Sequence, residues 1–266
     1  MAIKQRILTG VVALPLLILF IFYASISLFQ IFICGVTLVA LWEFYSMSLP
    51  AERSPERNLA VAGGALPGIL LTLQVSFWWQ ASLVFLVLFF ATVFLFRYRD
   101  LNRVVGELAL LLFGFLYVPL LLGHLALLRE LAFGRQWIFL VLLIIMAGDS
   151  AAYFSGVSLG RRKLYPAISP NKSIEGAIGG LAGSLGGALL ARFWFFPELT
   201  LADCFLLGIG LGAFGQVGDL FESMLKRSFG VKDSGAIIPG HGGLLDRLDS
   251  LLFAFPVAYY YALFRF

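Results

Sequence analysis

The chain has 266 residues, of which 61% are hydrophobic and 13% charged, with a mean hydropathy of +0.95; soluble domains carry about 25% charged residues. This composition excludes a water-soluble globule and makes lipid the solvent. The net charge of +4 would suit a nucleic-acid binder, but the 19 basic residues follow the loops of a membrane protein, and nucleic acid is excluded as a partner.

A hydrocarbon core of about 30 Å needs about 20 helical residues. Residues 7–42 are uncharged and too long for one span, so a break near Ser25 and Ser27 divides them into two helices, the first short. A cleavable signal peptide is the alternative for the run behind Lys4 and Arg6, and no small-residue cleavage site supports it. Residues 58–96 are also uncharged, and the stretch Gln74–Ser82, with Trp78 and Trp79, reads as an interfacial turn between two more helices. Single spans follow at 108–128, 136–160, 176–197, 201–220 and 250–265. The expectation is an all-α polytopic integral membrane protein of about nine transmembrane helices. About four fall in residues 1–105, and residues 106–266 form a second transmembrane region with cytoplasmic loops at 161–175 and 219–249. With the N-terminus cytoplasmic, 15 of the 19 basic residues face the cytoplasm, and Arg129, Arg135, Arg192 and Arg265 face the other side.

Several tempting features carry no chemistry. Cys34 and Cys204 lie in apolar stretches without metal-ligand spacing, so neither a disulfide nor zinc is expected. Gly210, Gly212 and Gly215 spell a dinucleotide fingerprint, but inside an apolar span they read as a helix-packing face. Gly179, Gly183 and Gly187 recur every four residues and read the same way; such faces suit contacts within a protomer or in a homodimer. His124, between leucines in mid-span, is read as a satisfied buried histidine in preference to a proton relay.

Residues 219–249 are different, because 31 residues hold 9 of the 34 charged residues and both signs interleave. The plain alternative is a solvated loop. Against it, the glycines of Ile238-Pro239-Gly240-His241-Gly242-Gly243 expose backbone N–H groups to phosphate oxygens. Lys226, Arg227, Lys232 and Arg247 supply positive charge for a polyphosphate. Asp219, Asp246 and Asp249 supply hard oxygen ligands for Mg²⁺, with a second cation left open. Two further polar elements lie on the same side of the expected membrane. Asp149 and Tyr153, four residues apart, share a helical face. Ser169–Gly176 contains Lys172, and Ser173 is placed to cap the following helix. Arg161, Arg162 and Lys163 are either a topological tether or a direct substrate contact.

The run from Ser223 to Asp249, with Lys226-Arg227, Lys232-Asp233, Ile238-Pro239-Gly240-His241-Gly242-Gly243 and Asp246-Arg247-Leu-Asp249, closely resembles the signature of the phosphatidate cytidylyltransferases, or CDP-diacylglycerol synthases. More than a dozen positions agree over 27 consecutive residues. The Asp149–Tyr153 and Ser169–Gly176 stretches also resemble that family's upstream motifs, with Ser173 where threonine is common. The first hundred residues resemble it only as spans.

The resemblance implies transfer of a cytidylyl group from CTP to phosphatidic acid, with Mg²⁺, in a bacterial-type cytoplasmic membrane with the site facing the cytoplasm. Asp219 and Asp246 are then the expected metal ligands, and Asp249 an additional one. Lys226, Arg227, Lys232, Arg247 and Lys172 are expected on phosphates. His241 donates to a phosphate, protonates the leaving group or holds a turn, and Asp233 pairs with Lys232 or orients a basic residue. The competing readings are another membrane nucleotidyl- or phosphotransferase acting on a lipid phosphate, and a transporter. The transporter reading is opposed by charges that gather on one face instead of the midplane.

Overall fold

The computed structural model describes residues 14–73, 76–97, 100–238 and 242–266. Nine helical segments form among them: α1 (Leu14–Tyr23), α2 (Ile26–Ser48), α3 (Ser54–Thr72), α4 (Ser76–Arg97), α5 (Leu101–Glu130), α6 (Gly134–Leu159), α7 (Ile174–Trp194), α8 (Leu201–Ser228) and α9 (Asp249–Arg265). The chain is an all-α integral membrane protein, and α2, α4, α5, α6, α7 and α8 are long and apolar enough to cross a bilayer. The other three are shorter or more polar. The described part of α1 has 10 residues, α3 opens with Glu56 and Arg57, and α9 has 17 residues.

The chain breaks at Ser25 because its hydroxyl accepts from the N–H of Leu28, 3.2 Å away, and caps α2. The expected turn at Gln74–Ser82 is shorter than the sequence suggested. Helix α4 already starts at Ser76, so Trp78 and Trp79 sit in its first turns; Gln74 and Val75 lie outside the described residues. Pro119, which has no N–H to donate, sits in a widened π turn at Leu116–Leu120 within α5.

Two expected loops are instead partly regular. Residues Lys163–Tyr165 (β1) and Ser169–Ser173 (β2) pair as an antiparallel hairpin, with Lys163 opposite Ser173 and Tyr165 opposite Ser169. Helix α8 runs eight residues past the expected span end at 220, to Ser228, so Asp219, Glu222, Lys226 and Arg227 project from a helix. A Glu222–Lys226 pair one turn apart supports this polar extension. Gly230 ends it at φ +72°, with its N–H bonded to the Arg227 carbonyl and that of Val231 to the Lys226 carbonyl.

The chain divides into two compact units: residues 1–127 with 233–246, and residues 128–232 with 247–266. In the first, Phe44, Tyr45, Phe90 and Phe115 are buried, and the Tyr45 hydroxyl donates to the Leu111 carbonyl at 2.7 Å. Arg53 is buried there too, donating to Glu107 at 2.8 Å and to the Arg97 carbonyl at 2.9 Å, with Glu56 at 3.5 Å. An interior guanidinium persists only with such a set of partners.

In the second unit, α6 and α7 approach closely through small residues. A Cβ at Gly179 would meet the Ser155 side chain, and one at Gly183 would meet the Ala151 methyl and, at 2.7 Å, the Ala147 carbonyl oxygen. Ser184 donates to the Ile144 carbonyl at 3.1 Å across the same seam. Gly212 of the fingerprint-like triplet packs on Ser184 and Gly215 on Ile145, so these two lie on a packing face of α8, whereas a Cβ at Gly210 would meet nothing within 4 Å. Gly183→Ala should therefore lower thermal stability, by about 1–3 kcal/mol of overpacking. Gly186→Ala, where a Cβ meets nothing within 4 Å, should leave the melting temperature in detergent unchanged or raised. His124 Nδ1 lies 2.7 Å from the Leu120 carbonyl one turn earlier, consistent with a satisfied buried histidine.

Candidate active site

The second unit contains a cavity of about 610 Å³ at the end where α6 finishes, α7 begins and α8 carries its polar extension. This volume is in the range of small-molecule sites, about 300–1,000 Å³. Asp149 and Tyr153 line it from α6, Lys172 and Ser173 from β2, and Gln216 and Asp219 from α8. The spacing of four residues on α6 puts the carboxylate and the phenol on one face, as helical geometry requires.

Several local bonds fix the walls. Ser173 caps α7 by accepting from the N–H of Gly176 at 3.1 Å, which directs the first turn of that helix toward the cavity. The Glu175 carboxylate accepts from the backbone N–H groups of Arg161 and Arg162 at 3.0 and 3.2 Å and ties down the base of the hairpin. Gln216 donates to the Ala177 carbonyl at 3.0 Å and braces α8 against α7.

Electrostatically the cavity is a carboxylate cluster with ammonium partners. Lys172 Nζ lies 2.5 Å from Asp219 Oδ2, with both side chains about 30% exposed. The charges of Asp149 and Asp249 lie within range of Asp219 and repel it, while Lys172 offsets Asp149 and Lys226 offsets Asp249. Lys226 also pairs with the buried Glu222 at 3.3 Å, so its charge is drawn into the helix packing. Arg227 is exposed and donates to the Val231 carbonyl at 3.2 Å, closing the turn after α8. Lys232, Asp233 and Arg247 are exposed, and of them only Asp233 belongs to the first unit.

The glycine-rich loop belongs to the first unit. Asp246 Oδ2 accepts from the N–H groups of Ser234 at 3.0 Å and Gly243 at 2.8 Å, and the Ile238 N–H donates to the Gly242 carbonyl at 3.0 Å. Gly242 adopts φ +86°, a conformation that L side chains rarely take. Residues Pro239, Gly240 and His241 lie outside the described residues, so the expectations for His241 have no structural counterpart here.

One anchor of this loop escaped sequence reasoning. Glu43 of α2, fully buried, accepts from the N–H of Leu244 at 3.0 Å, from that of Leu245 at 2.8 Å and from the Ser234 hydroxyl at 3.2 Å. A Cβ at Gly243 would meet the same carboxylate at 2.6 Å, so glycine is needed for the approach. The available signal was that Glu43 ends a 36-residue uncharged run, and a carboxylate in a span is costly without a task. Gln216 was also missed, since one amide in a glycine-rich helix has no pattern to mark it.

Among the described residues, no group of three or more His, Cys, Asp or Glu side chains is gathered closely enough to cage a metal ion. Mg²⁺ does not need such a cage, because it usually takes one or two carboxylates together with substrate phosphates and water. The donor set fits that habit: Asp219 already holds a positive charge, the Lys172 ammonium, which also offsets the charge of Asp149.

Residues 4–264 match the cytidylyltransferase family. The chain is 38% identical to a phosphatidate cytidylyltransferase of Bacillus subtilis, covering 97% of this chain and 96% of that one. It is 35% identical to the proteins of that name from Staphylococcus haemolyticus and Staphylococcus aureus, with 96% of each chain covered. With near-complete coverage at both ends and the signature loop intact, the chain belongs to the cytidylyltransferase family.

Proposed function

We propose that the chain transfers the cytidylyl group of CTP to phosphatidic acid, releasing pyrophosphate and forming CDP-diacylglycerol. The observation that carries this reading is the cavity, which joins a polar, doubly signed interior to an apolar exterior. Lys172, Asp219 and Asp149 lie inside it, while Tyr153 and Val157 on its rim, at 67% and 72% exposure, offer surface to acyl chains. A lipid phosphate and a water-soluble nucleotide both require such a boundary. In this reading the cavity faces the cytoplasm, where CTP is found and where the flanking Arg161, Arg162 and Lys163 would satisfy the positive-inside rule.

A phosphate oxygen of phosphatidate attacks the α-phosphorus of CTP in line, the new P–O bond forms, and the bond to the β-phosphate oxygen breaks. The nucleophile is already anionic, so positioning and charge neutralisation carry the catalysis. Lys172 takes a phosphate oxygen when it leaves Asp219. Asp219 and Asp249 in the second unit, and separately Asp246 in the first, are the proposed Mg²⁺ ligands, and a bound ion would supply charge neutralisation on the phosphates. CTP labelled at the α-phosphate should pass its label to lipid, and CTP labelled at the γ-phosphate should pass it only to pyrophosphate. Lipid labelling from the γ-position would replace this reading with phosphotransfer.

A further inference from the structure

We infer that Glu43, far from the signature loop in sequence, is a positioning residue that sets the direction of the Asp246 carboxylate. The inference rests on the functional reading above and adds a residue that the signature does not contain.

The geometry is a closed ring of hydrogen bonds within the first unit. Glu43 Oε2 accepts from the Ser234 hydroxyl and the Leu245 N–H, and Glu43 Oε1 accepts from the Leu244 N–H. The Ser234 N–H then donates to Asp246 Oδ2, which also accepts from Gly243, the residue before Leu244. Glu43 therefore fixes the backbone on both sides of Asp246 Oδ2: through Ser234 on one limb of the loop, and through Leu244 and Leu245 on the other. The carboxylate has no exposure to solvent, and the three bonds all end in a single loop. Burying a carboxylate in a membrane-spanning helix is costly, and an apolar residue would fill the same space without that cost. Gly235 and Gly243 both need the absence of a Cβ to admit the Glu43 carboxylate, so the loop sequence is fitted to it.

Glu43→Gln keeps the shape but turns an amide N–H toward a backbone N–H, since one carbonyl oxygen cannot serve Leu244 and Leu245 from both sides. Ser234→Ala removes one strand of the ring and leaves Glu43 in place. Full-length protein with each change, purified in detergent, is compared with wild type by hydrogen exchange of a peptide covering residues 242–246 and by steady-state kinetics. In Glu43→Gln, loop exchange should accelerate about tenfold or more. The kcat should fall by about tenfold or more and the Mg²⁺ concentration for half-maximal rate should rise, while KM for phosphatidic acid stays within about twofold. Ser234→Ala should move the same readouts in the same direction by less, and it decides the matter if Glu43→Gln does not fold. Unchanged loop exchange, or faster exchange with wild-type kcat and Mg²⁺ dependence, would overturn the inference. A wild-type chain that transfers no cytidylyl group would defeat the functional reading alone, because the exchange measurement reads the anchor without turnover.

Discussion

Asp219→Ala is expected to lower cytidylyl transfer by about a thousandfold or more, with little change in melting temperature. The rate loss follows from the place of Asp219 in the cavity: it pairs with Lys172, and its charge acts on both Asp149 and Asp249. Removing it takes away a proposed metal ligand and releases Lys172 from its position, and charge stabilisation of a phosphoryl transition state is the larger part of such catalysis. Stability should hold because the side chain is 31% exposed and its ion-pair partner Lys172 is 29% exposed. Kinetics across a Mg²⁺ series, with a thermal melt of the same preparation, check both halves. Near-normal Mg²⁺-dependent activity would remove Asp219 from the site.

Asp246→Ala is expected to be equally inactive for a different reason, and it should also destabilise. Asp246 is 7% exposed, and its Oδ2 is the acceptor for the Ser234 and Gly243 N–H groups. Removing the carboxylate leaves those donors without it in a buried setting, at about 1–3 kcal/mol for each. The glycine-rich loop would then rearrange together with any ligand it holds. The pair of variants separates the two kinds of dependence: loss of rate at constant stability for Asp219, loss of both for Asp246. A melting temperature for Asp246→Ala equal to wild type would show that the two hydrogen bonds do not hold the loop.

The parts of the molecule that were legible in the sequence are those governed by local physics. Uncharged runs gave the membrane helices, the length of the first run gave the break near Ser25, Ser173 gave a helix start because a short hydroxyl side chain satisfies a free N–H group, and the four-residue glycine spacing gave a packing face whose partner, α6, only the structure identifies. The polar end of α8 was not legible. Charged residues beyond a span read as loop by hydropathy, although a helix can continue into water when pairs such as Glu222–Lys226 support it. The hairpin at 163–173 was hidden because its strands have three and five residues, too few to show alternation. Glu43 was hidden for a deeper reason: its partners are about 200 residues away, and no periodic pattern records a tertiary contact. The candidate site was therefore legible as a set of residue types, while the division of labour between the Lys172–Asp219 cavity and the Glu43–Asp246 loop required coordinates.

The decisive assay for cytidylyl transfer incubates the purified chain with phosphatidic acid, Mg²⁺ and CTP labelled in the cytidine ring, and extracts the lipid. A lipid-linked cytidine should form only when all three are present, with one pyrophosphate released for each. Absence of lipid-linked label across a range of acyl chains and divalent metals, from protein that is folded by its melting transition, would contradict it.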